Sequence, residues 1–239
     1  MFQFGALACG FLLLTFASPI QGDTLLNAGF GSITTLAGDG WLQVNNSYPA
    51  GTTGWFQGND GIFPSQAGAT DAYVAANYLN ADLGGNISNW LITPTFIFDG
   101  GFNLSFYTRT ETDAPTPDRL EVRLSTSGSS VGSTDTSVGD FTTLLLTVNP
   151  LLSPSAYPES WTEETATVFG LGNSVTGRLA FRYYVTDTTV NGDYIGIDSV
   201  EVDSASVPEP ASILLVAVGL AAVLRPRAFR RRHTDQLRQ

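Results

Sequence analysis

The sequence predicts an all-β fold, a jelly-roll-like β-sandwich, for the central part of the chain at residues 23–205. Two observations predict it. Short runs rich in β-branched and aromatic residues recur between clusters of Gly, Pro, Asn and Asp, which is how strands and turns alternate. No heptad and no long apolar stripe of helical period appears in the same region. About ten strands with short polar connections fit two packed antiparallel sheets.

Four runs alternate between apolar and polar residues and predict strands: residues 103–110, 119–126, 178–187 and 194–202. In the second run, Leu120, Val122 and Leu124 share one face. Charged and polar side chains occupy the other face, as expected for a strand with one side in a core and one in water.

Two further runs, residues 89–98 and 141–148, are more continuously apolar and predict central strands. Pro94 interrupts the first of them and belongs at a bulge or an edge, because proline cannot donate to a strand ladder. Residues 125–140 are rich in Ser, Gly and Thr and predict a long exposed loop.

Both ends of the chain predict export. Residues 1–22 hold an apolar stretch followed by small and turn-prone residues, which is typical of a secretory signal peptide for the Sec export machinery. The apolar run at 211–224 has 14 residues, short for a membrane span, and by length alone it also fits a buried core helix. A basic cluster follows it, as the positive-inside rule expects on the cytoplasmic side of a short transmembrane helix. Its members are Arg225, Arg227, Arg230, Arg231 and Arg232.

The tail as a whole resembles a known sorting signal. Pro208, Glu209 and Pro210 are followed by the short apolar run and then by the arginine cluster. This three-part order resembles the PEP-CTERM signal of exported bacterial proteins. The resemblance implies that the membrane enzyme exosortase recognises and cleaves the segment 206–239. The protein would then reside transiently in the inner membrane before it reaches the cell envelope or the extracellular space.

A series of short motifs in the central domain carries a second resemblance. GWFQGN, SNWLITPTF, LSFYTRT, DRLEVRLST, GDFTTLLLTVNP, YPESW, GRLAFRYYVTD and YIGIDSVEV follow one another in the order seen in choice-of-anchor J domains. These β-sandwich domains of bacterial surface proteins are related in pattern to cleaved-adhesin and MAM-like modules. The likeness covers residues 24–203 and implies fold and location, because the family offers no settled catalytic residues.

The composition of the central domain excludes several classes of function. Residues 23–205 carry 14 Asp, 6 Glu and 5 Arg, a net charge of −15, which argues against binding to nucleic acid. The chain has no Lys, and its single Cys9 and single His233 lie outside this domain. The domain therefore has no thiol nucleophile, no Cys/His zinc site and no Ser-His-Asp triad. We expect a non-catalytic surface or extracellular-matrix protein, with exopolysaccharide or another surface molecule as its partner.

Trp41 and Trp55 are the candidate ligand-binding residues. Each follows a glycine and precedes polar loop residues, an arrangement that would leave a ring face open for stacking on a sugar. Neighbouring side-chain amides would hydrogen-bond sugar hydroxyls: those of Asn45, Asn46, Gln57 and Asn59. The alternative for both tryptophans is burial in the core, which is also the expectation for Trp90.

Asp198, late in the last predicted strand, is the candidate calcium ligand. Calcium takes six to eight oxygen ligands, and residues 27–30 and 187–193 would supply others. The alternative is a turn-forming carboxylate that accepts hydrogen bonds from backbone amides. No EF-hand spacing is present in the sequence.

A carboxylate-pair carbohydrate-active enzyme is the alternative function. Two acidic stretches hold the candidate carboxylates: Glu111, Asp113 and Asp118 in one, Glu159, Glu163 and Glu164 in the other. Retaining glycoside hydrolysis needs two carboxyls about 5 Å apart across the scissile bond. Neither stretch has the spacing of an active-site strand, and both are interpreted as solvated loops.

Overall fold

A computed structural model of the chain describes residues 22–205, which form thirteen strands, two short 3-10 turns and no α-helix. The predicted signal peptide, PEP sequence and membrane-spanning helix lie outside these residues. Within the same range, no helix has the length and apolar character needed to cross a membrane. The strands are β1 (Thr24–Ala28), β2 (Leu42–Asn45), β3 (Tyr48–Ala50), β4 (Phe56–Gln57), β5 (Val74–Asn77), β6 (Ala81–Ile92), β7 (Phe96–Phe98), β8 (Gly101–Thr110), β9 (Leu120–Ser125), β10 (Thr143–Val148), β11 (Thr162–Phe169), β12 (Val175–Val185) and β13 (Tyr194–Ser204).

The strands form two antiparallel sheets. The first sheet has the order β11-β8-β13-β5-β4, with β1 also paired to β13. The second has the order β10-β9-β12-β6-β2, with β3 paired to β6 and β7 paired to β12. Successive strands cross between the sheets, since β8 lies in the first, β9 and β10 in the second, β11 in the first and β12 in the second. The predicted all-β sandwich is confirmed.

The main core lies between the two sheets and is rich in aromatic residues. Along β8 every second side chain is fully buried, as the two-residue period of a strand requires. Phe106 of β8 meets Phe181 of β12 edge to face, with ring centroids 5.0 Å apart. The predicted inward face of β9, which is formed by Leu120, Val122 and Leu124, belongs to this core.

A second, smaller core lies on the outer face of the second sheet. There Trp90 and Ile92 of β6 pack with Val131 and Phe141, and the rings of Trp90 and Phe141 are 5.6 Å apart. The connection 126–142 therefore folds back over the sheet. The prediction of a long exposed loop at residues 125–140 is confirmed for most of its residues, but Val131 is buried against the sheet, which the prediction did not foresee. Trp90 is buried as expected, in this outer cluster.

The connection 126–142 also buries side chains on the outer face of the strands beneath it. Glu121 and Ser125, which were predicted to face water, are buried on the outer face of β9.

The run 141–148 was predicted to be central, but its strand β10 pairs only with β9 and is the edge of the second sheet. Pro94 lies in the break between β6 and β7, a position consistent with its missing backbone donor.

Candidate functional site

The structure buries the two tryptophans that were predicted to bind a ligand. Trp41 is 3% exposed and Trp55 is 4% exposed, and both belong to the main core. The ring of Trp41 packs edge to face against Phe30 at 5.4 Å. The expectation of open ring faces is wrong, because the segments around the two Gly-Trp pairs pack their rings against the sandwich. Neither indole presents a face on which a sugar could stack.

Two of the four candidate amides are also committed to the fold. Asn45 donates to the carbonyls of Thr53 and Asn80, at 3.0 and 2.9 Å. Gln57 donates to the carbonyls of Phe30 and Asp71. A side chain that closes loops in this way would have to release its backbone partners before it could bind a sugar hydroxyl.

Asn59 stabilises a local turn, whereas Asn46 joins two segments that are distant in sequence. Asn59 accepts a hydrogen bond from the backbone N–H of Gly61 at 3.0 Å. The Nδ2 of Asn46, in contrast, donates to the carbonyl of Gly132 at 2.9 Å, across 86 residues of sequence. This bond ties the end of β2 to the connection 126–142. It also places Asn46 on the wall of an open groove.

The groove has a volume of about 450 Å³ and lies between the β2–β3 segment and the connection 126–142. We call it the Tyr48 groove. Its lining is polar apart from one aromatic ring: Asn45, Asn46, Ser47, Tyr48, Ser133, Thr134 and Asp135. Tyr48 is 73% exposed, so its ring is open to solvent beside the hydroxyl, amide and carboxylate groups.

Strand pairing fixes one wall of the Tyr48 groove. Tyr48 is opposite Asn86 in the register of β3 and β6. The backbone N–H of Asn46 donates to the carbonyl of Ser88, and the backbone N–H of Ser88 donates to Oγ of Ser47. This wall is thus an extension of the second sheet.

Arg182 and Asn86 fix the opposite wall. Asn86 donates to Oδ2 of Asp135 at 2.8 Å, and the guanidinium of Arg182 donates to the carbonyl of the same residue. Arg182 is itself buried, bonded to Ser88 and Glu121, and stacked on the ring of Tyr184 at 3.7 Å. Burial lowers the pKa of Arg182 and the charge of Glu121 opposes that shift. The connection 126–142 is therefore anchored through its backbone to the sheet beneath.

Asp198 does not have the surroundings of a calcium ligand. Its carboxylate is buried and accepts hydrogen bonds from the backbone N–H groups of Gln66, Ala67 and Ser199, at 2.9, 3.1 and 2.6 Å. Donors of this kind satisfy a carboxylate without a cation, which is the alternative that the sequence left open. Within residues 22–205, no group of three or more His, Cys, Asp or Glu side chains is placed to hold a metal ion. Calcium binding by this chain stays a prediction, and Asp198 does not fit it.

The acidic stretch at 111–118 contributes a buried carboxylate rather than an active-site one. Asp118 accepts hydrogen bonds from Thr110, Tyr183 and the backbone N–H of Asp193, at 2.8, 2.5 and 2.7 Å. Burial raises the pKa of Asp118 from 3.8 to about 6, and these hydrogen bonds oppose the rise. Asp118 and Glu159 line one hollow, but its volume of about 10 Å³ admits a single water and no sugar ring.

Asp193 is an unusual carboxylate that the sequence did not single out. It is mostly buried, and its Oδ2 has no hydrogen-bond partner among the described residues. Burial raises the pKa of Asp193, and the nearby carboxyls of Asp118 and Glu111 raise it further. The only signal in the sequence was its place in the acidic turn 187–193, which does not reveal burial.

The acidic residues of β11 do not form a catalytic pair. Glu163 and Glu164 are successive residues of one strand, so their side chains project to opposite faces of the sheet. Glu163 is exposed, whereas partial burial raises the pKa of Glu164. Two groups on opposite faces cannot flank one glycosidic bond.

Comparison with known proteins decides the nature of the C-terminus. The family model of the PEP-CTERM protein-sorting motif matches residues 206–232. The chain carries a PEP-CTERM sorting motif. The motif begins directly after the described β-sandwich and marks the chain as an exported surface protein. Among curated proteins, none matches this chain in sequence.

The β-sandwich that precedes the sorting motif is similar to solved adhesin domains. The K1 cleaved adhesin domain of Lys-gingipain from Porphyromonas gingivalis W83 is 22% identical, with a TM-score of 0.54 over 77% of this chain and 100% of that one. The K3 domain of the same protein is 21% identical, with a TM-score of 0.53 over 77% and 99%. At this identity the likeness is one of fold, and it agrees with the related pattern expected from the sequence.

Proposed function

We propose that this chain is an exported, non-catalytic surface or extracellular-matrix protein that exosortase recognises and cleaves through residues 206–239. The observation that carries the proposal is the sorting motif at residues 206–232, which follows a strongly acidic β-sandwich. In the same proposal, residues 1–22 are a signal peptide for Sec-dependent export. The β-sandwich is a choice-of-anchor J domain that passes through the inner membrane to the envelope or the extracellular space.

The domain acts by binding, and its partner is an extracellular polysaccharide. Three features of the described residues support this role over hydrolysis. Asp118 is sealed in the protein, the hollow that it shares with Glu159 is smaller than a sugar, and Glu163 and Glu164 lie on opposite faces of a strand. The Tyr48 groove, in contrast, is open and combines one exposed ring with several hydrogen-bonding groups.

The sorting part of the proposal is tested by Glu209→Ala in cells that carry exosortase. The substitution removes the only charged side chain of the Pro208-Glu209-Pro210 sequence, so we expect the variant to remain uncleaved and attached to the membrane. The mass of the protein extracted from membrane and medium fractions measures the outcome. Wild-type protein should lose its C-terminal segment, and the variant should keep it.

A matched control is Glu163→Ala, which removes an exposed glutamate from β11 and should be processed like the wild type. A strain without exosortase should leave both the wild type and the control unprocessed. Equal masses for the wild type and Glu209→Ala in the presence of exosortase would contradict the sorting role.

A further inference from the structure

We propose that the Tyr48 groove is the polysaccharide site, and that it takes an uncharged sugar chain with one ring stacked on Tyr48. This inference rests on the proposed binding function and adds to it a location and a chemical class of ligand. The groove lies on the outer side of the second sheet, away from the two buried tryptophans that the sequence suggested.

The ring of Tyr48 supplies the apolar part of the site. Single exposed aromatic residues are common on protein surfaces and by themselves need no explanation. Tyr48 differs because its exposed ring forms part of the lining of a groove whose other members are all polar. The carbon face of a pyranose offers C–H groups to such a ring, while its hydroxyls point outward toward the walls.

The walls supply hydrogen-bonding groups of the kind that sugar hydroxyls need. Asn46 lines the groove and uses its Nδ2 to hold the connection 126–142, so its Oδ1 is available as an acceptor. Ser133 contributes an exposed hydroxyl, and Asp135 is held by Asn86 through one carboxylate oxygen while the other remains to accept. These side chains are short, so few rotamers are lost when they bind.

The anchored backbone makes the groove a preformed site. The Asn46–Gly132 hydrogen bond and the Arg182–Asp135 hydrogen bond join the two walls to the same sheet. Rigid positioning reduces the entropy that a ligand must overcome on binding. A loop of the same composition without these bonds would offer the same groups in many arrangements and would select no particular ligand.

Charge restricts the class of polysaccharide. Asp135 is the only charged side chain that lines the groove, and residues 23–205 have a net charge of −15. An anionic chain such as alginate would meet repulsion at the wall and from the whole domain. No arginine lines the groove to offset that repulsion. Neutral hexose or pentose polymers avoid this cost.

The experiment measures binding of the full-length chain to immobilised neutral polysaccharides, with xylan, galactan, cellulose and mixed-linkage β-glucan as probes. Alginate at low salt serves as the anionic probe. We expect the wild type to bind at least one neutral polymer and not alginate. Tyr48→Ala should weaken that binding at least tenfold, and Ser133→Trp should do the same by filling the groove.

The matched control is Tyr78→Ala, because Tyr78 is 48% exposed and lines a different hollow. It should bind like the wild type, and all the variants should keep the wild-type melting temperature. If the wild type binds a neutral polymer and Tyr48→Ala and Ser133→Trp bind it equally well, the site assignment is wrong while the binding function stands. If the wild type binds no neutral polymer, the site and the polysaccharide-binding function both fail.

Discussion

The aromatic side chains of this domain fall into two groups with different physical roles. Trp41 and Trp55 are almost fully enclosed and stabilise the sandwich by apolar burial and close packing. Tyr48 is open to water and contributes little to the core. A substitution at a member of each group therefore separates an effect on folding from an effect on binding.

The first prediction concerns the two buried tryptophans. Trp41→Ala and Trp55→Ala should each lower the free energy of unfolding by about 3–5 kcal/mol, the usual range for a buried large aromatic truncated to alanine. Denaturant unfolding followed by circular dichroism measures the change. Tyr78→Ala, at an exposed ring, should change it by no more than about 0.5 kcal/mol. Losses near zero for both tryptophans would mean that their rings are exposed after all.

The two Gly-Trp pairs show that the burial of a side chain does not follow from its neighbours in the sequence. A glycine before an aromatic residue marks a flexible backbone position, and the sequence offers no way to tell whether the ring then turns toward water or toward a sheet. The outcome here depends on partners such as Phe30, which packs on Trp41. In the same way, the Tyr48 groove depends on a contact between Asn46 and Gly132, 86 residues apart. Neither local pattern predicts such a contact.

At the level of strands, prediction succeeded where the two-residue period was strong. β8, β9, β12 and β13 were predicted within a few residues because apolar and polar residue types alternate in their sequences, although burial follows that alternation only along β8 and most side chains of the other three strands are buried. The short strands β2 to β4 have mostly exposed or half-buried residues, so they carry no such period. They are held in place by partners such as β6 rather than by their own sequence.

The connection 126–142 behaves as a structural element although it has no regular secondary structure. Phe141 and Val131 attach it to Trp90 and Ile92, and its backbone is bonded to Arg182. Its high content of Ser, Gly and Thr hid the two apolar residues that matter. Because it forms one wall of the Tyr48 groove, its attachment links the stability of the outer cluster to the integrity of the candidate site.

The second prediction tests this attachment through Phe141. Phe141→Ala should lower the free energy of unfolding by about 3–5 kcal/mol, because the ring is fully buried against Trp90. Hydrogen exchange should also show loss of protection at backbone amides 130–142. Phe169→Ala is the control, since Phe169 lies 64% exposed at the end of β11. If the two variants were equally stable, the connection would be a free loop.

The whole domain combines a strongly acidic surface with acidic groups in its interior. Most of its 20 carboxylates between residues 23 and 205 lie at the surface, where repulsion favours solubility. Asp118 and Asp193 are different, since both are buried and share one region of the sandwich. Groups of this kind make the stability of a protein depend on pH.

The third prediction is that the domain becomes more stable as the pH falls from about 8 to 5. Burial raises the pKa of Asp118 from 3.8 to about 6 and raises that of Asp193 as well, so the folded state holds their protons more tightly than the unfolded chain does. The stabilisation is complete below the ordinary pKa of a carboxyl and is lost as the pH rises through the folded-state pKa. For Asp118 alone, the loss of stability over the whole titration is roughly 3 kcal/mol, and about half of it falls between pH 5 and pH 8. The melting temperature, measured at constant ionic strength, should therefore be higher at pH 5 than at pH 8.

Asp193→Asn identifies the source of this dependence. The amide has nearly the shape of the protonated carboxyl and carries no charge beside Asp118, so the variant should melt at a higher temperature than the wild type at pH 8. The melting temperatures of the two proteins should converge toward about pH 3, below the ordinary pKa of a carboxyl, where Asp193 is protonated in both the folded and the unfolded wild type. The control is Asp113→Asn, at an exposed position of the stretch 111–118 that also contains Asp118. This variant should keep the pH profile of the wild type. A melting temperature that rises between pH 5 and 8, or an Asp193→Asn profile parallel to that of the wild type, would show that the buried carboxyls are not what sets the pH dependence.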